Sequence, residues 1–206
     1  MTQDPKDFYP VLTEAQFKAI ANKAPKNAAS VFVPYINQYA PAYKIDTPEA
    51  MAAFLPQLVH ESGHFRWMRE IWGPTAQQKR YERDFNQEYH EQLPKGHRNS
   101  LAFELGNSQA GDGKFFMGRG AIMTTGRANY LQVSKHLFGD DRLRYHPELL
   151  EVPEYSIKAA MYYFSTRVMG KVELTDVVAV TKRINGGTNG LDERKELYKI
   201  AKGILA

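Results

Sequence analysis

The sequence predicts a mainly α-helical fold with at most a small β element. Three features carry that expectation. Apolar residues recur at three- and four-residue spacing in segment after segment of the 206-residue chain. Several of those segments open on a hydroxyl side chain or a proline, as helices do. Room for short strands is confined to the stretch between about Arg66 and Ile122.

Thr13-Glu14-Ala15-Gln16 has the form of a capping box, and Phe17, Ile20 and Ala21 continue it as a helical stripe ending near Pro25. A second helix is expected from Ala28 to Tyr39, with Val31, Val33, Tyr35 and Ile36 inward and Pro41 closing it. Thr47-Pro48-Glu49 combines an N-cap, a first-turn proline and a first-turn acid. The helix it starts presents Met51, Phe54, Leu55, Leu58 and Val59, with a kink or break expected near Leu55 because Pro56 follows. From Arg66 to Asn99 the pattern is irregular and charged, and Gln77 to Asp84 fits a loop, a short helix or a small hairpin equally. Helical character resumes from His97 to Gly106. Gly111 to Gly126 is dense in glycine and implies turns and close backbone approach; neither phosphate-loop pattern fits it. Four further helices are expected at Ala128 to Phe138, Tyr155 to Thr166, Thr175 to Ile184 and Asp192 to Leu205. Asn185-Gly186-Gly187-Thr188-Asn189-Gly190 forms the loop between the last two.

Composition narrows the function. Hydrophobic content of 43% and charged content of 24% belong to an ordinary globular chain long enough for one sizeable core, a single domain with room for a cleft between two lobes. The net charge of +4 suits an anionic polymer but selects none. With no cysteine, disulfides and thiolate metal sites are excluded. No apolar run at Met1 to Pro10 serves as a signal peptide, and no stretch reaches the ~18 apolar residues of a membrane span.

The chemistry concentrates at His60-Glu61-Ser62-Gly63-His64. These letters spell H-E-x-x-H, in which two histidines on one helix face bind zinc beside a glutamate base. Ser62-Gly63 between the ligands weakens that reading, since glycine costs about 1 kcal/mol inside a helix. The alternative pairs Glu61 with a second carboxylate such as Glu82: one acid to protonate a leaving oxygen, one base to activate water. Spacing alone leaves both readings open. Trp67 and Trp72 offer flat faces to a sugar or to the core.

The ordered set His60-Glu61-Ser62-Gly63, Arg80-Tyr81-Glu82, Gly111-Asp112-Gly113, Gly118-Arg119-Gly120, Thr125-Gly126-Arg127-x-Asn129-Tyr130 and Ile184-Asn185-Gly186-Gly187 resembles family 19 glycoside hydrolases, which comprise chitinases and lysozyme-like phage endolysins. The resemblance runs from about Ala52 to Arg194. It implies a lysozyme-like, two-lobed helical fold and one catalytic domain over residues 1–206. It further implies an inverting mechanism with no metal and no cofactor. On that pattern Glu61 is the general acid, Glu82 the base and Thr125 a residue that holds the water. Asn129 and Asn185 line the sugar site, Arg194 buttresses the catalytic region, and His60 and Met123 fall among the substrate-contacting positions. Met123 stands where the family has glutamine, and Arg83 where it has the glycine of Y-E-G-R. About twenty residues near Asn86 to Leu105 look inserted, which makes Glu88, Glu91 and Glu104 alternatives to Glu82. The expected partner is peptidoglycan or a chitin-type polysaccharide, with no nucleic acid, no membrane insertion and a monomeric state. The expected route is cytoplasmic synthesis followed by action on the bacterial wall in the periplasm, through a holin or secretion apparatus.

Overall fold

The computed structural model describes residues 11–206; the polar segment Met1–Pro10 lies outside them. Ten α-helices follow in order among the described residues: α1 (Glu14–Ile20), α2 (Ala28–Tyr39), α3 (Pro48–Glu61), α4 (Ala76–Lys79), α5 (Ser100–Glu104), α6 (Asp112–Phe115), α7 (Arg127–Phe138), α8 (Pro153–Arg167), α9 (Val177–Asn185) and α10 (Leu191–Leu205). The β content is two isolated antiparallel bridges, Arg69 with Arg119 and Arg119 with Thr124. The described chain is mainly α, and its small β element ties Arg69 to the glycine-rich segment, reaching Thr124 just past the stretch where strands were expected. No described helix is long and apolar enough to cross a membrane.

The chain divides into two compact units: residues up to Arg66 together with Tyr163–Ala206, and Trp67–Tyr162. In the first, α3 and α10 pack together, with α1 and α9 against α10. The capping box forms as expected, Thr13 Oγ1 accepting from Gln16 N at 3.2 Å and Gln16 Oε1 accepting from Thr13 N at 2.9 Å. In α2 the buried face is Ala28, Ala29, Phe32, Val33 and Ile36, so Phe32 takes an inward position where Val31 and Tyr35 were expected and are only half-buried. Of the kink or break expected near Leu55, the break does not occur: α3 runs through Pro56. Every residue from Ala50 to Val59 is buried, so packing on all sides offsets the one hydrogen bond that proline removes.

The second unit has its own core of Phe116, Tyr130, Val133, Leu143, Leu150 and Ala159. Its bridges tie the segment after Trp67 to the glycine-rich segment: Glu70 N donates to Gly118 O at 2.8 Å and Gly120 N to Met68 O at 2.9 Å. Close approaches require glycine here, as at Gly126 and Gly113. A Cβ on Gly126 would lie 2.6 Å from the Cβ of Leu105, and one on Gly113 would lie 2.7 Å from Glu82 Oε2 and 2.8 Å from Glu82 N. Helix α5 is shorter than the helix expected from His97 to Gly106. Of the ambiguous stretch Gln77 to Asp84, the first three residues fall in α4, opened by a second capping box between Thr75 and Gln78, and the rest is turn and loop.

Candidate functional site

In the first unit, Glu61 is the last residue of α3, and Ser62 caps it. Ser62 Oγ donates to Leu58 O at 2.6 Å and accepts from Phe65 N at 2.8 Å, splicing the helix to the turn beyond. That turn is left-handed over three residues, Gly63, His64 and Phe65, with φ of 55°, 61° and 60°. The conformation costs about 1–2 kcal/mol for each non-glycine residue. Phe65 compensates by burying its ring between Phe17 and Phe32, each centroid 4.9 Å away, a burial worth about 1.5–3 kcal/mol.

Glu61 is therefore delivered on a rigid helix end with its side chain 19% exposed. Arg194, buried to 1% exposure on α10, meets it: one terminal nitrogen donates to Glu61 Oε1, the other to Gln57 Oε1 at 2.5 Å, and Nε to Asn189 O at 3.2 Å. This is a buried buttress, not a surface ion pair. Glu61 Oε2 receives no hydrogen bond from the described residues, so one carboxyl oxygen is fixed and the other is left open. His60 Nδ1 lies 2.5 Å from Glu193 Oε2, and His64 Nε2 lies 3.4 Å from Glu193 Oε1. Burial holds the His64 imidazole below its ordinary pKa, against the opposing pull of Glu193. Because α3 ends at Glu61, His64 does not share a helix face with His60, and the geometry that lets H-E-x-x-H grip zinc is absent. Among the described residues no three His, Asp or Glu side chains are arranged to hold a metal ion. Asn185 closes the loop after α9, its Oδ1 accepting from Gly187 N at 2.9 Å and its Nδ2 donating to Asn189 O at 3.0 Å.

In the second unit, Glu82 is held by backbone amides: Gly111 N donates to Oε1 at 2.5 Å and Gly113 N to Oε2 at 2.9 Å. Both oxygens thus tether the glycine-rich segment. Beside it Asp112 accepts from Ser108 N and Gln109 N and pairs with Arg127. A different carboxylate flanks the same glycine as the expected water-holding residue. The place a Cβ on Gly118 would occupy is bordered by Thr125 Oγ1 at 3.3 Å, Glu70 Oε2 at 3.4 Å and Met123 Cβ at 3.4 Å. Glu70 is positioned by Gly118 N on Oε2 at 3.0 Å and by Gln78 Nε2 on Oε1 at 2.9 Å, with the Tyr81 hydroxyl at 3.5 Å. Burial, then the Glu70 charge, push the Tyr81 phenol up to about 12, so it stays a neutral donor. Thr125 Oγ1 donates to Met123 O at 2.8 Å, leaving its acceptor lone pairs available, and Asn129 Nδ2 donates to Thr125 O at 2.7 Å. Met123 sits at the turn with φ of 52°.

Thus Glu70, Thr125, Met123 and Asn129 form one constellation, while Glu82 belongs to a neighbouring loop clamp. Sequence reasoning passed over Glu70. Its one available signal was Gln78 of the Thr75 capping box, which fixes both the turn and the Glu70 carboxylate. Trp67 is 53% exposed, not core, whereas Trp72 is half-buried with its ring 6.4 Å from Tyr81. The inserted segment contributes to a pocket of about 620 Å³ bordered by Arg80, His90, Leu93, Lys95, Phe103 and Glu104.

No family model matches the chain. Individual proteins do. A glycosyl hydrolase family 19 domain-containing protein of Haemophilus influenzae is 36% identical over 158 residues, covering 72% of this chain and 76% of that protein. Chitinase 4 of rice, Oryza sativa subsp. japonica, is 26% identical over 190 residues, covering 85% of this chain and 57% of its own length. The crystal structure of chitinase C from Streptomyces griseus superposes with a TM-score of 0.66 at 18% identity, covering 99% of this chain and 95% of that one. A class IV family 19 chitinase from Zea mays gives 0.64 at 19% identity, covering 96% and 94%. With a bacterial relative this similar over three quarters of its length, and with the fold of solved family 19 chitinases, the chain belongs to glycoside hydrolase family 19.

Proposed function

We propose that the protein hydrolyses β-1,4 bonds between N-acetylated amino sugars by single displacement, with peptidoglycan as its polymer. Glu61 is the proton donor, and the observation that carries this reading is its one-sided tether. Arg194 occupies Oε1, so the proton resides on Oε2 and passes to the glycosidic oxygen as the C–O bond breaks. Water attacks the anomeric carbon and releases its proton to the second carboxylate, inverting the configuration. Glu70 fills that second role better than Glu82, because its Oε2 and Thr125 Oγ1 both border Gly118, and the free lone pairs of Thr125 can accept from the same water. Glu82 serves as the clamp of the glycine-rich segment. Asn129 and Asn185 brace the backbone around these groups. No metal or cofactor enters these steps.

Peptidoglycan is favoured by the bacterial source of the 36% identical relative and by the net charge of +4, which suits an anionic wall. Chitin is the second reading, supported by the rice relative named a chitinase. Digestion of purified sacculi and of glycol chitin separates the two. Sacculus clearing with new reducing ends is expected, and cleavage of chitin alone overturns the peptidoglycan reading. Muramic acid at the new ends marks a muramidase, and glucosamine marks a glucosaminidase. Glu61→Gln should abolish hydrolysis with the fold intact; a variant that still cleaves removes Glu61 as donor. The wall is the site of action on this reading, so the chain fused to an export signal should lyse a bacterial host while the unfused chain should not.

A further inference from the structure

Glu193 has no role in the chemistry above, yet it touches both neighbours of Glu61. Its carboxylate spans His60, the residue before Glu61, and His64, three residues after it. Arg194, the next residue on α10, holds Glu61 itself. Two consecutive residues of one helix therefore grip the end of another at three points. The contact is closely fitted: the His60 ring lies over Gly190 at the start of α10, where a Cβ would come within 2.0 Å of its Cε1. His64 adds a further sign of constraint. It is a non-glycine residue with φ of 61°, it is buried, and its Nδ1 has no partner, so its ring is held in place by the single bond to Glu193. The other charges bearing on His64 are Lys23 and Arg66, both of which oppose its protonation, and Arg66 is tied by its Nε to Lys23 O at 3.1 Å.

We propose that Glu193 is a positioning residue: by holding His60 and His64 it fixes the left-handed turn after α3 and so sets the Glu61 carboxylate against Arg194. An Arg194 pairing with a loosely held helix end would leave the Glu61 open oxygen variable in direction. Glu193 removes that freedom without touching the substrate.

The proposal rests on Glu61 being the donor for its kinetic arm only, so the test has two arms. In Glu193→Gln, exchange of the Arg194 guanidinium protons with solvent, read by NMR, should accelerate roughly 10-fold, the scale of one charge-assisted hydrogen bond lost. Glu196→Gln, an exposed acid on the same helix, is the control and should exchange like the parent. On whichever polymer the parent cleaves, Glu193→Gln should lower kcat on the order of 10-fold with KM little changed, as misorientation of a reacting group does. Glu193→Asp should recover part of the loss. The thermal midpoint distinguishes misorientation from unfolding. Exchange at Arg194 equal to that of the control overturns the proposal, whatever the kinetics. Accelerated exchange with kcat unchanged retains the brace but removes Glu61 as the donor.

Discussion

Glu61 in the first unit and Glu70 and Glu82 in the second are held by opposite means. In the first, Glu61 meets a buried guanidinium 133 positions away in sequence, and its flanking histidines meet a carboxylate on the same distant helix. In the second, Glu70 and Glu82 accept from neutral donors, chiefly backbone amides, with one carboxamide and one phenol. A charge-paired carboxylate depends on two helices being correctly packed. An amide-cradled one depends on loop geometry and on glycines that let the backbone come close. The first arrangement also fixes one oxygen and leaves the other open, whereas both oxygens of Glu82 are committed.

The sharpest way to break this comparison is within the second unit. Glu70→Gln should cost activity on the order of 100-fold or more, the usual scale for a lost general base. Glu82→Gln should instead cost about 1–3 kcal/mol of stability through its two amide bonds, with a smaller kinetic loss. The opposite pattern restores Glu82 as the base.

A smaller effect separates the glycines. Gly190 has φ of 69° and its new Cβ would displace the His60 ring, so Gly190→Ala should cost about 1–2 kcal/mol and disturb the His60 resonances. Gly113 has ordinary φ but would press on Glu82 N and Tyr81 C, so Gly113→Ala should cost about 1–3 kcal/mol by overpacking and leave His60 undisturbed. Urea unfolding with histidine-ring spectra reads both.

Titration gives the smallest signal. Burial lowers the His64 pKa, so as pH falls below 6.5 the unfolded chain takes up that proton first and stability declines. Glu193 acts in the same direction: burial opposes its charge, but the bonds from His60 and His64 outweigh this and hold it below 4.5, and its stabilisation is lost as pH falls through the folded value. Removing its charge in Glu193→Gln should move the His64 midpoint further down. In the second unit His136, also lowered by burial, should not move. On the alkaline side Tyr81 is raised, so its contribution is intact below 10.0 and lost as pH rises from there to about 12.

Much of this was legible because the signals are local. Thr13, Thr47 and Pro48 place the starts of α1 and α3, and the stripe from Ala28 to Tyr39 matches α2, since caps and periodicity act within one or two turns; α1 ends at Ile20, short of the expected Pro25. The same T-x-x-Q form at Thr75 was equally readable and marks α4, though too few apolar residues follow for a periodic reading to find it. Leu174-Thr175 misplaced the start of α9, where Asp176 is the cap, its side chain accepting from Ala179 N at 3.0 Å. Pro56 argued for a kink or a break, and α3, buried on every side, continues through it.

The helical class, the family and the place of Glu61 at the end of a core helix were legible in the sequence, because caps, periodicity and an ordered set of motifs are written in neighbouring residues. Packing sets the partners: Arg194 is buried against Glu61, His60 and His64 converge on Glu193 instead of lying on one helix face, and both oxygens of Glu82 accept from glycine amides while Glu70 and Thr125 flank Gly118. The reason is physical. What a carboxylate does is set by the groups around it, and most of these come from residues tens to more than a hundred positions away, brought together by packing that no local pattern encodes.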